Sequence, residues 1–411
     1  MARKTYRNVV VGLDIGSNKV ASAAGEITFD GAVNVLGICN VPSTGLRRGN
    51  VIDLEDTAHA IDDCLNELER LCGINIASAR IGFSGAGISS LSNRAVVAVG
   101  NPGEEIRSED VERVMHAAKM VPIPADRSII QMLPRQFIVD GYDGVADAVG
   151  MAGSRLEVET TLITASHTAV QNLIKSVVRT GLQIKDLNPN ALLTGESVLT
   201  PAEKEMGVVL VDIGGGTTDI SIYERGTLAF NSTLPVGGEH ITRDLAVGLR
   251  TTVEGANRIK EQHGCVNIES EESKEIEVTS MHGQEVRSVS LHVIASIIQP
   301  RVQEILELVQ SELFRAGMIG IPPGGMVLTG GTSNLGGITR LVEEYLHIPA
   351  RSGVPENVSV VTDDFKKAQY AAVIGALLYD SKTATSDVSL EQELMDSWLG
   401  RIILWFKDLF R

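Results

Sequence analysis

The sequence predicts an α/β protein built from two related domains, and three features carry that expectation. Two segments repeat one pattern: 9-VVVGLDIGSNKVASAAGE-26 and 208-VVLVDIGGGTTDISIYERG-226 each run a β-branched stretch into Asp-Ile-Gly, then a small-residue turn, then a second apolar stretch. That is the signature of a strand, a tight turn and a return strand. Asp14 and Asp212 lie 198 residues apart in a chain of 411, about half its length, so the pair reads as one unit used twice; a single such hit would be an ordinary hairpin. Between the strands lie segments of helical period. In 53-DLEDTAHAIDDCLNELERLCG-73, Asp53 can cap the helix, Leu54, Ala58, Ile61, Leu65, Leu68 and Leu71 form one stripe, and Gly73 can end it.

The two hairpins suggest a chemistry. Successive backbone N–H groups in a glycine-rich turn can converge on one anion, because no Cβ blocks its approach. Gly16, Ser17 and Asn18 supply the first turn; Gly214, Gly215, Gly216, Thr217 and Thr218 supply the second. Asp14 and Asp212, at the ends of the preceding strands, suit a hydrated Mg²⁺, which takes few carboxylates and keeps several waters. Two such hairpins facing each other would grip a polyphosphate with the metal between them. Lys19 can reach a phosphate or face solvent at the start of its strand, and the sequence does not separate the two. No segment fits the Walker pattern, and 84-SGAGIS-89 lacks the third glycine of a dinucleotide fingerprint.

A third glycine cluster, 327-VLTGGTSNLGGITRLVEEYL-346, reads as a strand, a loop and a helix with Leu335, Ile338, Leu341, Val342 and Tyr345 at helical spacing. Alone it is a strand-to-helix turn; after two phosphate hairpins, Gly330, Gly331 and Thr332 read as a place where a base and ribose lie against the backbone.

Between the first helix and residue 164 the pattern runs strand (94–99), helix (108–121), strand (128–140) and strand (155–165), and 269-ESEESKEIE-277 reads as a solvated acidic loop. Net charge is −16, which argues against nucleic acid as a partner. The four cysteines, Cys39, Cys64, Cys72 and Cys265, have no metal spacing and fit a reducing compartment. The N-terminal apolar run is too short for a signal peptide, and no stretch approaches the ~18 apolar residues of a membrane span.

The three glycine segments, in this order, resemble the actin/Hsp70/hexokinase ATPase superfamily: first phosphate motif, second phosphate motif, adenosine motif. Two further segments match: 187-LNPNALLTGESVL-199 resembles the connecting helix at the interdomain hinge, and 368-AQYAAVIGALLYD-380 the closing helix. Within the superfamily the chain is most similar to the FtsA family of bacterial cell division, on 207-GVVLVDIGGGTTDISIY-223, 295-ASIIQPRVQEILELV-309, 327-VLTGGTSNLGGI-338 and the C-terminal segment. The resemblance covers nearly the whole chain. It implies an actin-like (ribonuclease H-like) two-domain ATPase fold. Residues 1–83, 164–190 and 368–380 would form the first domain, 84–163 an FtsA-type inserted subdomain and 191–367 the second domain.

It further implies ATP and Mg²⁺ in the cleft, with Asp14 and Asp212 holding the metal through water, and Gly238, Glu239 and Lys260 lining the nucleotide site. Many superfamily ATPases place an acid or glutamine in the connecting motif to orient the attacking water; here that position is Asn188, which can bond a water but cannot take its proton. The family often has glutamate where this chain has Asn257. These departures imply at most weak ATPase activity, with binding mattering more than turnover. The resemblance also implies head-to-tail filaments and recruitment of later division proteins. The partner it names is the C-terminal peptide of the tubulin-like FtsZ, with Arg301 at a contacting position; an arginine following Pro300 at a helix start is the competing reading. Two other classes share the fold: a PilM-like pilus-assembly scaffold, and a small-molecule kinase, for which no general-base aspartate or substrate pocket stands out. A heat-shock chaperone is disfavoured, since no β-rich substrate domain follows residue 380.

The last fourteen residues, 398-WLGRIILWFKDLFR-411, hold both tryptophans, three basic residues and one acid. On a helix, Trp398, Leu399, Ile402, Ile403, Trp405, Phe406, Leu409 and Phe410 fall on one face spanning about 160°, with Leu404 the one misfit. Residues 381–397 are polar and read as a flexible linker. Such a stripe can pack on its own core, enter a partner's groove or lie in a lipid interface with its basic residues toward anionic headgroups. The family resemblance implies the last: a membrane-targeting amphipathic helix on the cytoplasmic face of the inner membrane at the division site.

Overall fold

The computed structural model describes residues 8–29, 31–85, 87–100, 103–267, 274–281, 283, 285–356, 358–360 and 363–379. The linker and the C-terminal amphipathic segment lie outside the described residues.

Two compact units emerge. The larger comprises Met1–Ser92, Pro122–Ile130 and Ile163–Tyr379. It holds two sheets of matching topology. In the first, the strands run in the order Gln183–Pro189, Ser78–Phe83, Val9–Ile15, Lys19–Ile27, Val33–Pro42, with Val358–Val360 added at the edge. In the second, the order is Ala350–Ser352, Met326–Thr329, Val208–Ile213, Thr218–Glu224, Thr227–Leu234. The registers coincide as well. Asp14 lies opposite Ala21 and Asp212 opposite Asp219 across their hairpins. On the other side, in parallel pairing, Gly82 faces Asp14 and Thr329 faces Asp212. The repeat read from the sequence is therefore a repeat of structure.

Each sheet is covered by helices whose apolar stripes face it. Asp53 caps the Leu54–Cys72 helix by accepting from the N–H groups of Glu55 and Asp56 at 2.9 and 3.0 Å, and Gly73 ends it in the left-handed region. Ala58, Ile61, Leu65 and Leu68 are buried as the stripe requires, whereas Leu71 rests on Gly37 in the last turn and is 54% exposed. Over the second sheet, Ile241, Leu245, Ile294, Ile298, Val302, Ile305, Leu306 and Val342 join Val209, Val211, Ile220 and Leu328 in one core.

Three expectations change. The connecting segment is not helical throughout: it is a strand to Pro189 and a helix from Asn190 to Val198, because proline fixes an extended φ and lacks the N–H to continue a helix inward. Arg301 does not begin a helix, because the helix runs unbroken from Leu291 to Arg315 with Pro300 inside it. The acidic stretch is only partly a loop. Glu275–Thr279 pairs with Val286–Ser290, and its alternate residues Ile276 and Val278 are buried, so its charges occupy the outer face of a strand.

The Ala371–Leu378 helix returns to the first sheet. Val373, Ile374 and Leu377 join Ala21, Ala23, Val33 and Val35 in its core, and Gly12 leaves room for Ala376. Arg80 locks the end of this helix: it pairs with Asp186 (3.2 Å) and donates to the carbonyls of Ala376 (3.3 Å) and Tyr379.

The smaller unit comprises Asn93–Val121 and Gln131–Leu162 among the described residues. Its helix, Ser108–Lys119, buries Val114, Met115 and Ala118. Arg94 and Arg155 close on the buried Glu157 at 2.7 and 3.0 Å.

Candidate functional site

A cavity of about 620 Å³ in the larger unit is lined by both hairpin turns. Asp14, Gly16, Ser17, Asn18 and Lys19 come from the first hairpin and Gly214, Gly215, Gly216 and Thr217 from the second turn; Lys260, Gly331 and Thr332 complete the set that the sequence singled out.

The two turns are built alike. Gly16 N–H donates to the Lys19 carbonyl at 3.1 Å, and Gly214 N–H donates to the Thr217 carbonyl at 2.9 Å. They also abut. A Cβ on Gly215 would stand 2.6 Å from the Asn18 Cβ, and one on Gly216 would stand 2.6 Å from Ser17 Oγ, so glycine is what lets the turns close on one another. The Gly214 carbonyl accepts from Gly238 N–H (2.9 Å) and from the Thr332 hydroxyl (3.0 Å), and the Gly215 carbonyl accepts from Glu239 N–H (2.8 Å). A trans peptide directs its N–H opposite to its carbonyl, so these contacts aim the amides of Gly215 and Gly216 away from the 238–248 helix. Gly238 and Glu239 thus act on the cleft by orienting the turn.

The aspartates are held from one helix. Asn190 donates to Asp14 at 2.9 Å, and Thr194, one turn further on, donates to Asp212 at 3.2 Å. Gly330, at φ 84°, packs directly over Asp212, a conformation and a closeness that a side chain would forbid. Burial raises the carboxyl of Asp14 above the usual range, against the opposing pull of Asn190 and Lys19. Asp212 is pushed up to about 7 by burial and by the neighbouring charges of Asp219 and Asp14. Asp219 is pushed up to about 6, chiefly by burial. Carboxylates crowded in this way favour protons or a cation.

A hydrated divalent ion fits this donor set. It has two carboxylates from opposite hairpins, and the Oδ1 of Asn190 is buried without a protein partner and able to bond a metal-bound water. Among the described residues no cluster of three or more His, Cys, Asp or Glu forms an all-protein cage. Lys19 Nζ donates to the Gln369 carbonyl at 2.6 Å and lies 4.6 Å from the Tyr370 ring centre; burial lowers its pKa. Lys260 donates to the Gly238 carbonyl (3.2 Å) and to Thr242 Oγ1 (2.8 Å).

Other residues lie elsewhere. Asn188 is buried in its strand and donates to Asp186 Oδ1 at 2.5 Å; the amide at the cleft is Asn190, two residues on. The Thr218 hydroxyl turns into the core, donating to the Val236 carbonyl at 2.8 Å. Asp212 and Gly330 sit beneath the lining. Arg301 is outside the cleft, bidentate to Asp244 at 2.6 and 3.1 Å and also paired with Glu304. Asn257 donates to Glu261 at 2.8 Å, and both line the cavity. The tail residues Trp398 to Phe410 lie outside the described residues.

Sequence reasoning passed over Ser84, Asn190, Asp219, Glu261 and Gln369, all at the cavity wall. Asp219 carried a signal, as a charged residue in the otherwise uncharged strand run TDISIY. Ser84 carried only the glycines beside it.

Two matching halves, each presenting an Asp-bearing glycine turn to a common cleft, define a two-domain actin-like protein. Solved structures share this fold. The chain is similar to a chain of the "PilM-PilN type IV pilus biogenesis complex" (TM-score 0.64, 16% identity, 90% of this chain and 97% of that one). It is also similar to MreB5 of Spiroplasma citri bound to ADP (TM-score 0.53, 13% identity, 91% and 97%). Sequence comparison goes further. Residues 209–375 match the family description "Cell division protein FtsA", and residues 85–164 match "SHS2 domain inserted in FTSA". The protein of that name from Pseudomonas aeruginosa is 38% identical over 95% of this chain and 93% of its own length. That from Bacillus subtilis is 39% identical over 91% and 84%, and that from Escherichia coli K12 is 32% identical over both full lengths. The chain belongs to the FtsA cell-division family. Among the described residues no helix is long and apolar enough to cross a membrane.

Proposed function

We propose that the chain is an ATP-binding, polymerising tether of cell division that holds FtsZ at the inner face of the cytoplasmic membrane and helps recruit later division proteins. The observation that carries the nucleotide part is the pair of abutting turns with Asp14 and Asp212 behind them. Amides of Ser17, Asn18, Gly215 and Gly216 cradle phosphates, the two aspartates hold Mg²⁺ through water, and Gly331, Thr332 and Lys260 take the nucleoside side. MreB5 of Spiroplasma citri, of the same fold, has been solved bound to ADP and to AMPPNP, which supports ATP as the ligand.

Nucleotide in the cleft favours head-to-tail filaments. A row of short tail helices on a filament binds lipid by avidity, and each Lys or Arg at an anionic surface adds ~1 kcal/mol. Arg301 meets the FtsZ C-terminal peptide; since Asp244 and Glu304 already engage its guanidinium, a peptide carboxylate competes with them or takes the remaining N–H groups.

Liposome co-sedimentation, with and without ATP and Mg²⁺, tests this for the full chain and a 1–397 truncation. The full chain is expected to pellet, more so with nucleotide, and its tryptophan emission to shift to the blue, since both indoles lie in the tail. Equal pelleting of the two chains refutes the anchor. The PilM-like scaffold reading, favoured by the shared fold, expects no such tail effect.

A further inference from the structure

The second hairpin has a carboxylate that the first does without. Asp219 pairs with Asp212 across its hairpin, where Ala21 pairs with Asp14. Because the first turn has the same shape with alanine at that place, cradling phosphate does not explain Asp219. Its two oxygens are engaged by hydroxyls: Ser84 donates to Oδ2 at 2.5 Å and Thr233 to Oδ1 at 2.5 Å. Ser84 itself lines the cavity, 3.1 Å from the hydroxyl of Thr217 in the second phosphate turn.

Four hydroxyls line this cavity, and their partners differ. Ser17 Oγ accepts from Gly49 N–H at 2.7 Å, Thr332 donates to a carbonyl, and Thr217 contacts only Ser84 among the hydrogen bonds described. Ser84 alone donates to a carboxylate, and a third group, Thr233, fixes that carboxylate from its far side. A hydroxyl within hydrogen-bond reach of a base that is itself oriented by another group is the arrangement of an activated nucleophile. An aspartate that accepts the proton of an acceptor hydroxyl is also how kinases prepare a substrate for phosphoryl transfer. Ser84, Asp219 and Thr217 are each no more than 7% exposed, so bulk water competes poorly at this place.

We propose that Ser84 is a phosphoryl acceptor and that the chain phosphorylates itself there. Ser84 Oγ attacks the γ-phosphorus of bound ATP. The Oγ–P bond forms as the bond from that phosphorus to the β,γ-bridging oxygen breaks; the bridging oxygen keeps the electron pair and leaves with ADP; the hydroxyl proton passes to Asp219. The phosphoserine then stands beside Asp219 at the cavity wall, where its charge disfavours a second triphosphate, and with its one acceptor used the reaction stops at one event per chain. This rests on the nucleotide reading of the cleft.

The test incubates the full chain with ATP and Mg²⁺ and follows intact mass, with peptide mapping of the product and nucleotide binding by equilibrium dialysis on the same sample. Expected are one added phosphoryl group, placed on Ser84, its loss in both Ser84→Ala and Asp219→Asn, and slower accumulation in Thr233→Val, which keeps nucleophile and base but frees the base to turn. Circular dichroism of each variant separates loss of acceptor from loss of fold. Nucleotide bound without any mass gain overturns the proposal, as does phosphate mapped to Thr217, or release of inorganic phosphate with the chain unmodified. Absence of bound nucleotide removes the cleft reading, and the proposal with it.

Discussion

Asp212 gives the cleft a pH dependence whose sign and size can be worked out. Its pKa stands at about 7 in the folded chain against an ordinary 3.8, raised by burial and by the neighbouring Asp219 and Asp14. A group whose folded pKa is raised holds its proton more tightly in the native state. Its contribution to stability is therefore complete below about pH 4 and is lost as pH climbs through about 7. At about 1.4 kcal/mol per unit, three units set a ceiling of about 4 kcal/mol. Asp212 is only partly buried by exposed area, and solvent screening at the cleft cuts this by roughly half, to about 2 kcal/mol. The perturbation is Asp212→Asn, which is neutral at every pH and keeps an oxygen for Thr194. Urea unfolding of the nucleotide-free chain in chelator, at pH 5 and pH 8, should show the wild type losing about 1 kcal/mol more than the variant across that interval, the rest of the contribution having gone between pH 4 and pH 5. Asp219 titrates in both proteins, so the difference reports Asp212 together with its coupling to Asp219. Parallel pH profiles would refute the reasoning, and a variant with the steeper loss would reverse its sign.

Gly216→Ala forces a Cβ to within 2.6 Å of Ser17 Oγ and 2.7 Å of its Cβ; overpacking of this kind costs about 1–3 kcal/mol and should spread the two turns, seen as a lower melting temperature together with weakened ATP binding. Asp53→Ala removes the cap of the Leu54–Cys72 helix and should cost about 1 kcal/mol with ATP affinity unchanged in the same dialysis. Arg80→Ala strands Asp186 beside the core and unties the end of the closing helix; a loss of about 3–5 kcal/mol is expected, measured by urea unfolding, and a loss under 1 kcal/mol would refute the locking role.

What could be read from the sequence was whatever repeats locally. The Asp-Ile-Gly turns, the Asp53 to Gly73 helix and the 327–346 loop each carry their signal within about twenty residues. What escaped depends on register or distance. Asn188 and Asn190 flank Pro189, and only the strand's pairing decides which amide reaches the cleft; Asn188 lies opposite Gly82 inside the sheet. Ser84 and Asp219 meet across 135 residues, a contact with no local mark. The strand at Glu275–Thr279 was hidden because its outward charges masked the alternation of Ile276 and Val278. Thr218, read as part of the phosphate turn, is the first residue of the return strand, where alternation sends its hydroxyl inward.

One helix links what the two hairpins do. Asn190 and Thr194 are four residues apart and so share a face, and each grips the aspartate of a different half. That helix is wedged against Gly375 of the closing helix, where its backbone at Leu193 leaves no room for a Cβ. Close-packed elements of this kind move as bodies and do not yield locally. If the proposed cation draws Asp14 and Asp212 together, it would act on the Asn190–Val198 helix as a whole, and through Gly375 on the Ala371–Leu378 helix, which lies in the first sheet's core. On the proposed reading of the cleft, its occupancy would bear on both sheets through the segment that holds Asp14 and Asp212. Replacing either donor, Asn190 or Thr194, should weaken that coupling from one side only.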